Sequence, residues 1–119
     1  MTPLADFSEV QIRLGEEFDD KLTAQVNAFL RDASAVVRRR VPTVDANLAD
    51  GSLDRDTVVM VITQVVMRRM SGIGLLSEQH PEYSYTLSPE AANGLALTDD
   101  EEALLRPPQS GRAFSIVPR

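Results

Sequence analysis

The segment Asp54–Ser71 constrains the fold more than any other part of the chain. It places nine apolar residues among the thirteen positions from Val58 to Met70. Its interruptions, Thr63, Gln64, Arg68 and Arg69, do not line up as one polar face at 100° per residue. Apolar surface therefore points in several directions and needs cover from more than one side. The β-branched residues Val58, Val59, Val61, Ile62, Val65 and Val66 also permit a strand. A run of this length without an internal turn signal nevertheless exceeds an ordinary strand. Asp54 and Asp56 at its start, with Arg68 and Arg69 at its end, match a helix dipole. The segment is expected to be a central, buried helix.

Its natural partner lies upstream. Leu22, Val26, Phe29, Leu30, Ala33 and Val37 recur at helical spacing and form one stripe of a long helix from about Asp19 to Arg39. Each larger side chain on that stripe contributes about 1.5–3 kcal/mol only when it is buried, so the helix needs a second element to pack on. Before it, Phe7-Ser8-Glu9-Val10-Gln11-Ile12 reads as a capping box. Ser8 is the expected N-cap, Phe7 and Ile12 stand at the staple positions, and a short helix Glu9–Leu14 is closed by Gly15. Arg38-Arg39-Arg40 falls in the last turn of the long helix, ahead of Val41-Pro42. There the arginines either complement the dipole as a solvated turn or form a basic rim facing another subunit or DNA. Thr43–Leu53 reads as a polar loop, which makes the two long helices antiparallel.

Beyond Ser71 the pattern loosens. Gly72 and Gly74 lead into a loop without periodicity that holds the single histidine, His80, which reads as a surface residue before Pro81 because a site needs several convergent groups. Tyr83-Ser84-Tyr85-Thr86-Leu87 alternates with period two, as a short strand or extended arm does. Ser88-Pro89-Glu90 opens one helical turn closed by Gly94, and Gly94–Leu97 is a second extended piece. Thr98-Asp99-Asp100-Glu101 is another capping box, opening a helix Asp99–Leu105 that Arg106-Pro107-Pro108 ends. The tail carries Phe114, Ile116 and Val117, which suit a strand added to another chain, a return to the chain's own core, or a mobile end.

The fold class is thus mainly α: a small helical bundle of two long antiparallel helices, short flanking helices, and an extended arm or small hairpin plus a C-terminal tail. One domain is expected over 1–106, with the arm at about 80–98 and the tail at 107–119. The 119 residues suffice for a real core. With no cysteine, disulfides and thiol chemistry are excluded. Neither a signal peptide nor a bilayer-length apolar run is apparent, so a soluble intracellular protein is expected. The net charge of −6 argues against general nucleic-acid binding. Eleven of the twelve basic residues are arginine, which reads as the mark of a G+C-rich coding genome. Enzyme motifs are absent. The acidic clusters Glu16-Glu17-Phe18-Asp19-Asp20 and Asp99-Asp100-Glu101-Glu102 lack calcium-loop spacing and lie at helix starts that favour acids. No cofactor and no metal are expected.

Taken in order, Arg38-Arg39-Arg40-Val41-Pro42, Tyr83-Ser84-Tyr85-Thr86, Gly94-Leu95-Ala96-Leu97-Thr98, Glu101-Glu102-Ala103-Leu104-Leu105 and Gly111-Arg112-Ala113-Phe114-Ser115-Ile116 resemble the head-to-tail connector (adaptor) proteins of long-tailed bacteriophages and prophages. The Leu14-Gly15 beginning and the Val58–Arg69 helix fit the same pattern. The resemblance implies a structural, non-catalytic subunit of the virion neck, made in the bacterial cytoplasm. Such subunits form a ring, commonly twelve-fold, between the portal protein and the head-completion (stopper) or tail protein. DNA passes through the lumen without sequence-specific binding, and no membrane is involved. By that analogy the candidate subunit or portal contacts are Arg38, Arg39, Arg40, Tyr83, Tyr85, Leu95, Leu97, Phe114, Ile116 and Val117.

An acidic subunit repeated around a channel would repel DNA phosphates, as a conduit requires. Early acids (Asp6, Glu9, Glu16, Glu17, Asp19, Asp20) could meet the Arg38–Arg40 end of a neighbour head to tail. Two other readings are a small helical DNA-binding regulator and a metal-dependent hydrolase. The Thr43–Leu53 connection is longer than a helix-turn-helix turn, which weighs against the first.

Overall fold

A computed structural model of the chain describes residues 2–74 and 95–107. These form five helices: α1 Phe7–Leu14, α2 Asp20–Arg40, α3 Val44–Ala49, α4 Arg55–Gly72 and α5 Asp99–Leu104. No strand occurs among the described residues. The expected turn at Pro89–Asn93 and the arm at Tyr83–Leu87 lie outside them, and Leu95–Thr98 carries no regular structure.

In α4, Val58, Val61, Ile62, Thr63, Val65, Val66, Met67 and Met70 are all buried, so the helix is enclosed on several sides. It packs mainly on α2 and also on α1 and α5. Helix beats strand here on magnitudes. Each β-branched residue costs at most about 0.7 kcal/mol of helix propensity, whereas full burial of such a side chain returns about 1.5–3 kcal/mol. Asp54 caps the start, its carboxylate accepting from Thr57 N–H at 3.2 Å. The lone polar core residue of α4, Thr63, folds its hydroxyl back onto the Val59 and Met60 carbonyls, both at 2.9 Å.

Helix α2 presents Val26, Leu30, Ala33 and Val37 to this core, with Leu22 and Phe29 half-buried against it. The stripe read from the sequence is therefore the packed face. Ser34, also buried, donates to the Leu30 carbonyl and accepts from Leu4 N–H at 2.8 Å. That bond, with the Arg38 guanidinium donating to the Thr2 carbonyl at 2.7 Å, lays the N-terminal residues back along α2. The start of α4 lies beside Ala103–Arg106, while Arg68 near its end meets Ala96 and Glu101. The 95–106 segment therefore runs down α4 in the opposite sense, and Leu105 seals the core beneath it.

Two local expectations are corrected. The N-cap of α1 is Asp6, not Ser8: the Asp6 carboxylate accepts from Ser8 N–H, and the helix starts at Phe7. An ionised acceptor suits the positive helix end better than a hydroxyl. Phe7 then packs on the core from within the first turn, but Ile12 forms no staple and is 73% exposed. Gly15 does end α1, at φ 69°, where a Cβ would be strained. Residues 43–53 are not simply a loop either, since they contain α3. Val44 is buried and Leu48 half-buried one turn later, so an i,i+4 apolar pair inside a polar stretch suffices to fold a short helix on the core.

Candidate functional site

The arginine run at the end of α2 is divided by the fold. Arg38 turns inward: its Nε and Nη2 donate to Asp45 of α3 at 2.8 and 3.1 Å, and its side chain is only 16% exposed. This guanidinium holds the Asp45 carboxyl below the usual carboxylate range, mainly through the hydrogen bonds. Arg40 stands 2.8 Å from Glu102 of α5, a charge contact without hydrogen-bond angles. The other carboxylate oxygen of Glu102 accepts from Arg106 at 2.9 Å, and Arg106 followed by Arg40 lowers the Glu102 pKa. Arg39 is exposed and makes no ion pair among the described residues. Of the three arginines expected at an interface, Arg38 is committed to the fold, Arg40 is shared, and Arg39 faces solvent.

Leu95 and Leu97 are half-buried against the chain's own core. Their position follows from the clasp that sequence reasoning missed. Arg68 donates through Nη1 and Nη2 to the two oxygens of Glu101, at 3.0 and 2.7 Å, and through Nη2 to the Ala96 carbonyl at 2.9 Å. Glu101 also completes the capping box of α5, accepting from Thr98 N–H at 3.0 Å while Thr98 Oγ1 accepts from Glu101 N–H. One carboxylate thus caps a helix and fastens it to α4. The capping box was legible in Thr98–Glu101, but its arginine partner, thirty-three residues away, was not. Tyr83, Tyr85, Phe114, Ile116 and Val117 lie outside the described residues.

Glu17, Asp19 and Asp20 are exposed where α1 turns into α2, and Ile12 is exposed on α1. Arg39 and Arg40 are exposed at the far end of α2, and Arg106 lines a groove with Leu104, which is 45% exposed. Ile12, Ile73 and Leu104 are the exposed large apolar residues among those described; Ile12, expected at a staple position, faces solvent instead. Among the described residues no three His, Cys, Asp or Glu side chains are arranged to hold a metal ion, and no helix is long and apolar enough to cross a membrane. A groove between residues 52–57 and 103–106 is lined by both Asp54 and Arg106, with Leu104 beside them.

The chain is similar to a phage protein. The Gene 19 protein of Mycobacterium phage D29 is 25% identical to it over 104 residues, spanning 87% of this chain and 84% of that protein. No protein-family model matches, and no solved structure matches. The likeness runs across nearly the whole of both proteins, so it concerns the bundle and not one shared motif. The chain is phage-related, and its described residues form a mainly helical bundle.

Proposed function

We propose that this phage-related protein is a head–tail connector (adaptor) subunit of a phage or prophage. It forms a ring between the portal and the head-completion or tail proteins and lets DNA pass through without sequence-specific contacts. The observation that carries the reading is the likeness to a phage protein over 87% of the chain. The ordered motifs from Arg38 to Ile116 supply the finer role. The bundle suits such a part. Its core is closed around α4 and the 95–106 segment is clasped at Arg68–Glu101, which makes the described bundle a stiff body. The net charge of −6 suits a conduit along which duplex DNA must slide. Its role is assembly, without catalysis.

Electron microscopy of the protein mixed with the portal protein of its own phage or prophage tests this. Rings seated on the portal are expected, and the absence of any ring or portal complex would refute the role. A gel shift on duplex DNA at physiological salt addresses the regulatory alternative, for which tight sequence-specific binding is the expected result. That alternative relied on the three arginines, two of which already face carboxylates of their own chain.

A further inference from the structure

The turn between α3 and α4 joins an aspartate to a glycine at Asp50-Gly51. That pairing bears on main-chain chemistry, because the side chain of an aspartate can be attacked by the amide nitrogen of the next residue to close a five-membered succinimide. A glycine in the second place has no Cβ and leaves that nitrogen least obstructed. Gly51 is the one glycine that follows an aspartate or asparagine among the described residues, since Gly15, Gly72 and Gly74 follow Leu14, Ser71 and Ile73. Asn93-Gly94 lies outside them. Every other described aspartate sits inside a helix or at its N-cap and precedes a residue that carries a Cβ. Asp50 and Gly51 are both exposed. The Gly51 N–H is also loosely held: it donates to the Leu48 carbonyl at 3.4 Å, against 3.0 Å from Asp50 N–H to Ala46 and 2.9 Å from Asn47 N–H to Thr43 just before it.

We propose that Asp50-Gly51 is a site of spontaneous covalent modification, at which the aspartate isomerises to isoaspartate, and that the folded turn holds the reaction back. The Gly51 nitrogen bonds to Cγ of the protonated Asp50 carboxyl, and the amide proton and the hydroxyl leave together as water. Water then adds to one of the two Asp50-derived carbonyls of the ring. Opening at the side-chain carbonyl restores aspartate. Opening at the main-chain carbonyl leaves the chain running through Cβ and Cγ and frees the α-carboxylate. One water is lost and one regained, so the net change is an isomerisation with nothing oxidised or reduced. The restraint lies in the turn itself. At ψ −1° the Asp50 main chain turns the Gly51 nitrogen away from Cγ, and the carboxylate is drawn forward by accepting from Ser52 N–H at 2.8 Å. Closing the ring requires rotation about the Asp50 Cα–C bond, which breaks that anchor. The Ser52 bonds also hold the carboxyl below its ordinary range, in the ionised form from which oxygen leaves less readily. Reaction therefore proceeds from an opened turn, and exposed turns open at small free-energy cost. Isoaspartate adds one main-chain carbon just ahead of Leu53, which is buried and donates its N–H to the Asn47 carbonyl at 3.1 Å, so the change loosens the start of α4.

Ageing the full chain at physiological temperature and neutral pH, followed by tryptic mapping, reads the step. Trypsin releases residues 41–55 as one peptide, in which isoaspartate changes the retention time and not the mass. Electron-transfer fragmentation places the isomer within it, and methyl transfer from S-adenosylmethionine by a protein-isoaspartate methyltransferase counts it. Any change at Asn93-Gly94 falls in another peptide. The folded chain is compared with the same chain in concentrated urea and with folded Asp50→Glu, which keeps the charge but cannot close a five-membered ring. Asp50 is exposed and its side chain bonds only within the turn, so the variant should fold, as circular dichroism checks. Isoaspartate should accumulate at Asp50 in the folded chain about tenfold more slowly than in urea, or slower still, which corresponds to about 1.4 kcal/mol or more for opening the turn. It should be absent from the same peptide of Asp50→Glu. The proposal is overturned if the folded chain forms none at Asp50, if the folded and urea rates match, if the isomer sits at Asp45, Asn47 or Asp54 instead, or if it persists in Asp50→Glu.

Discussion

Replacing Arg68 by methionine keeps most of the side chain's apolar bulk and removes the guanidinium that fastens α5 to α4. Three hydrogen bonds go with it, two to Glu101 and one to the Ala96 carbonyl. The Arg68 side chain is 17% exposed and that of Glu101 6%, so the carboxylate left behind is nearly dry. Removing one partner of a buried pair costs about 3–5 kcal/mol, chiefly the penalty of an uncompensated buried charge. Thr98 N–H remains on Glu101, and some water reaches the vacated position, so the lower end applies: about 3 kcal/mol. That is a large part of the 5–15 kcal/mol total of a typical domain, and at about 4 °C per kcal/mol it lowers Tm by roughly 12 °C. Urea and thermal unfolding followed by far-UV circular dichroism measure it. Glu101→Gln, which keeps an acceptor for Thr98 N–H, should be milder, and adding it to Arg68→Met should recover part of the loss by removing the orphaned charge. If Arg68→Met fell within about 1 kcal/mol of wild type, the pair would behave like a surface salt bridge and the clasp argument would fail.

Other substitutions probe separate joints. Ser34→Ala strands the buried Leu4 N–H and should cost about 1–3 kcal/mol, read by urea unfolding, with limited proteolysis becoming faster at residues 2–6. The Asp45 carboxyl is held below its ordinary range by Arg38, so its contribution to stability is fully present above that range and is lost as pH falls through the lowered value. Asp45→Asn should therefore reduce stability at neutral pH and flatten the acid limb of a stability-versus-pH curve. An unchanged acid limb would remove Asp45 from the account. Asp54→Ala removes the α4 cap and should cost about 1 kcal/mol by the same unfolding assay.

The long elements were legible because their signals are local. The Leu22–Val37 stripe and the caps at Asp54 and Thr98 each declare a helix within a few residues, and α2, α4 and α5 appear within a residue of the expected bounds. The failures share a cause in competing local signals. Asp6 and Ser8 are both cap formers two residues apart, and the choice went to the charged one because the helix could begin a turn-fraction earlier and bring Phe7 to the core. In α3, polar composition masked the Val44–Leu48 pair. The charge partners of Arg38, Arg40 and Arg68 were not legible in any local pattern. Pairing across 7, 62 and 33 residues is decided by how the helices pack.

The all-round apolarity of α4 invites the idea that a neighbouring subunit covers what the chain itself leaves bare. Packing removes that need, since Val66 and Met70 are as buried as Val58, and only Val59 and Met60 among the apolar residues of Val58–Met70 are half-exposed. The surplus is absorbed by three helices of the same chain, so any sign of assembly has to come from residues the core did not use. Those are Ile12, Ile73 and Leu104, the large apolar side chains left exposed among the described residues. The same logic changes which arginine is informative. Reversing Arg38 would break its bonds to Asp45 and Thr2, and a lost ring could not be told from a lost fold. Arg39 holds nothing in place among the described residues, so a change in association on altering it reports on the surface alone.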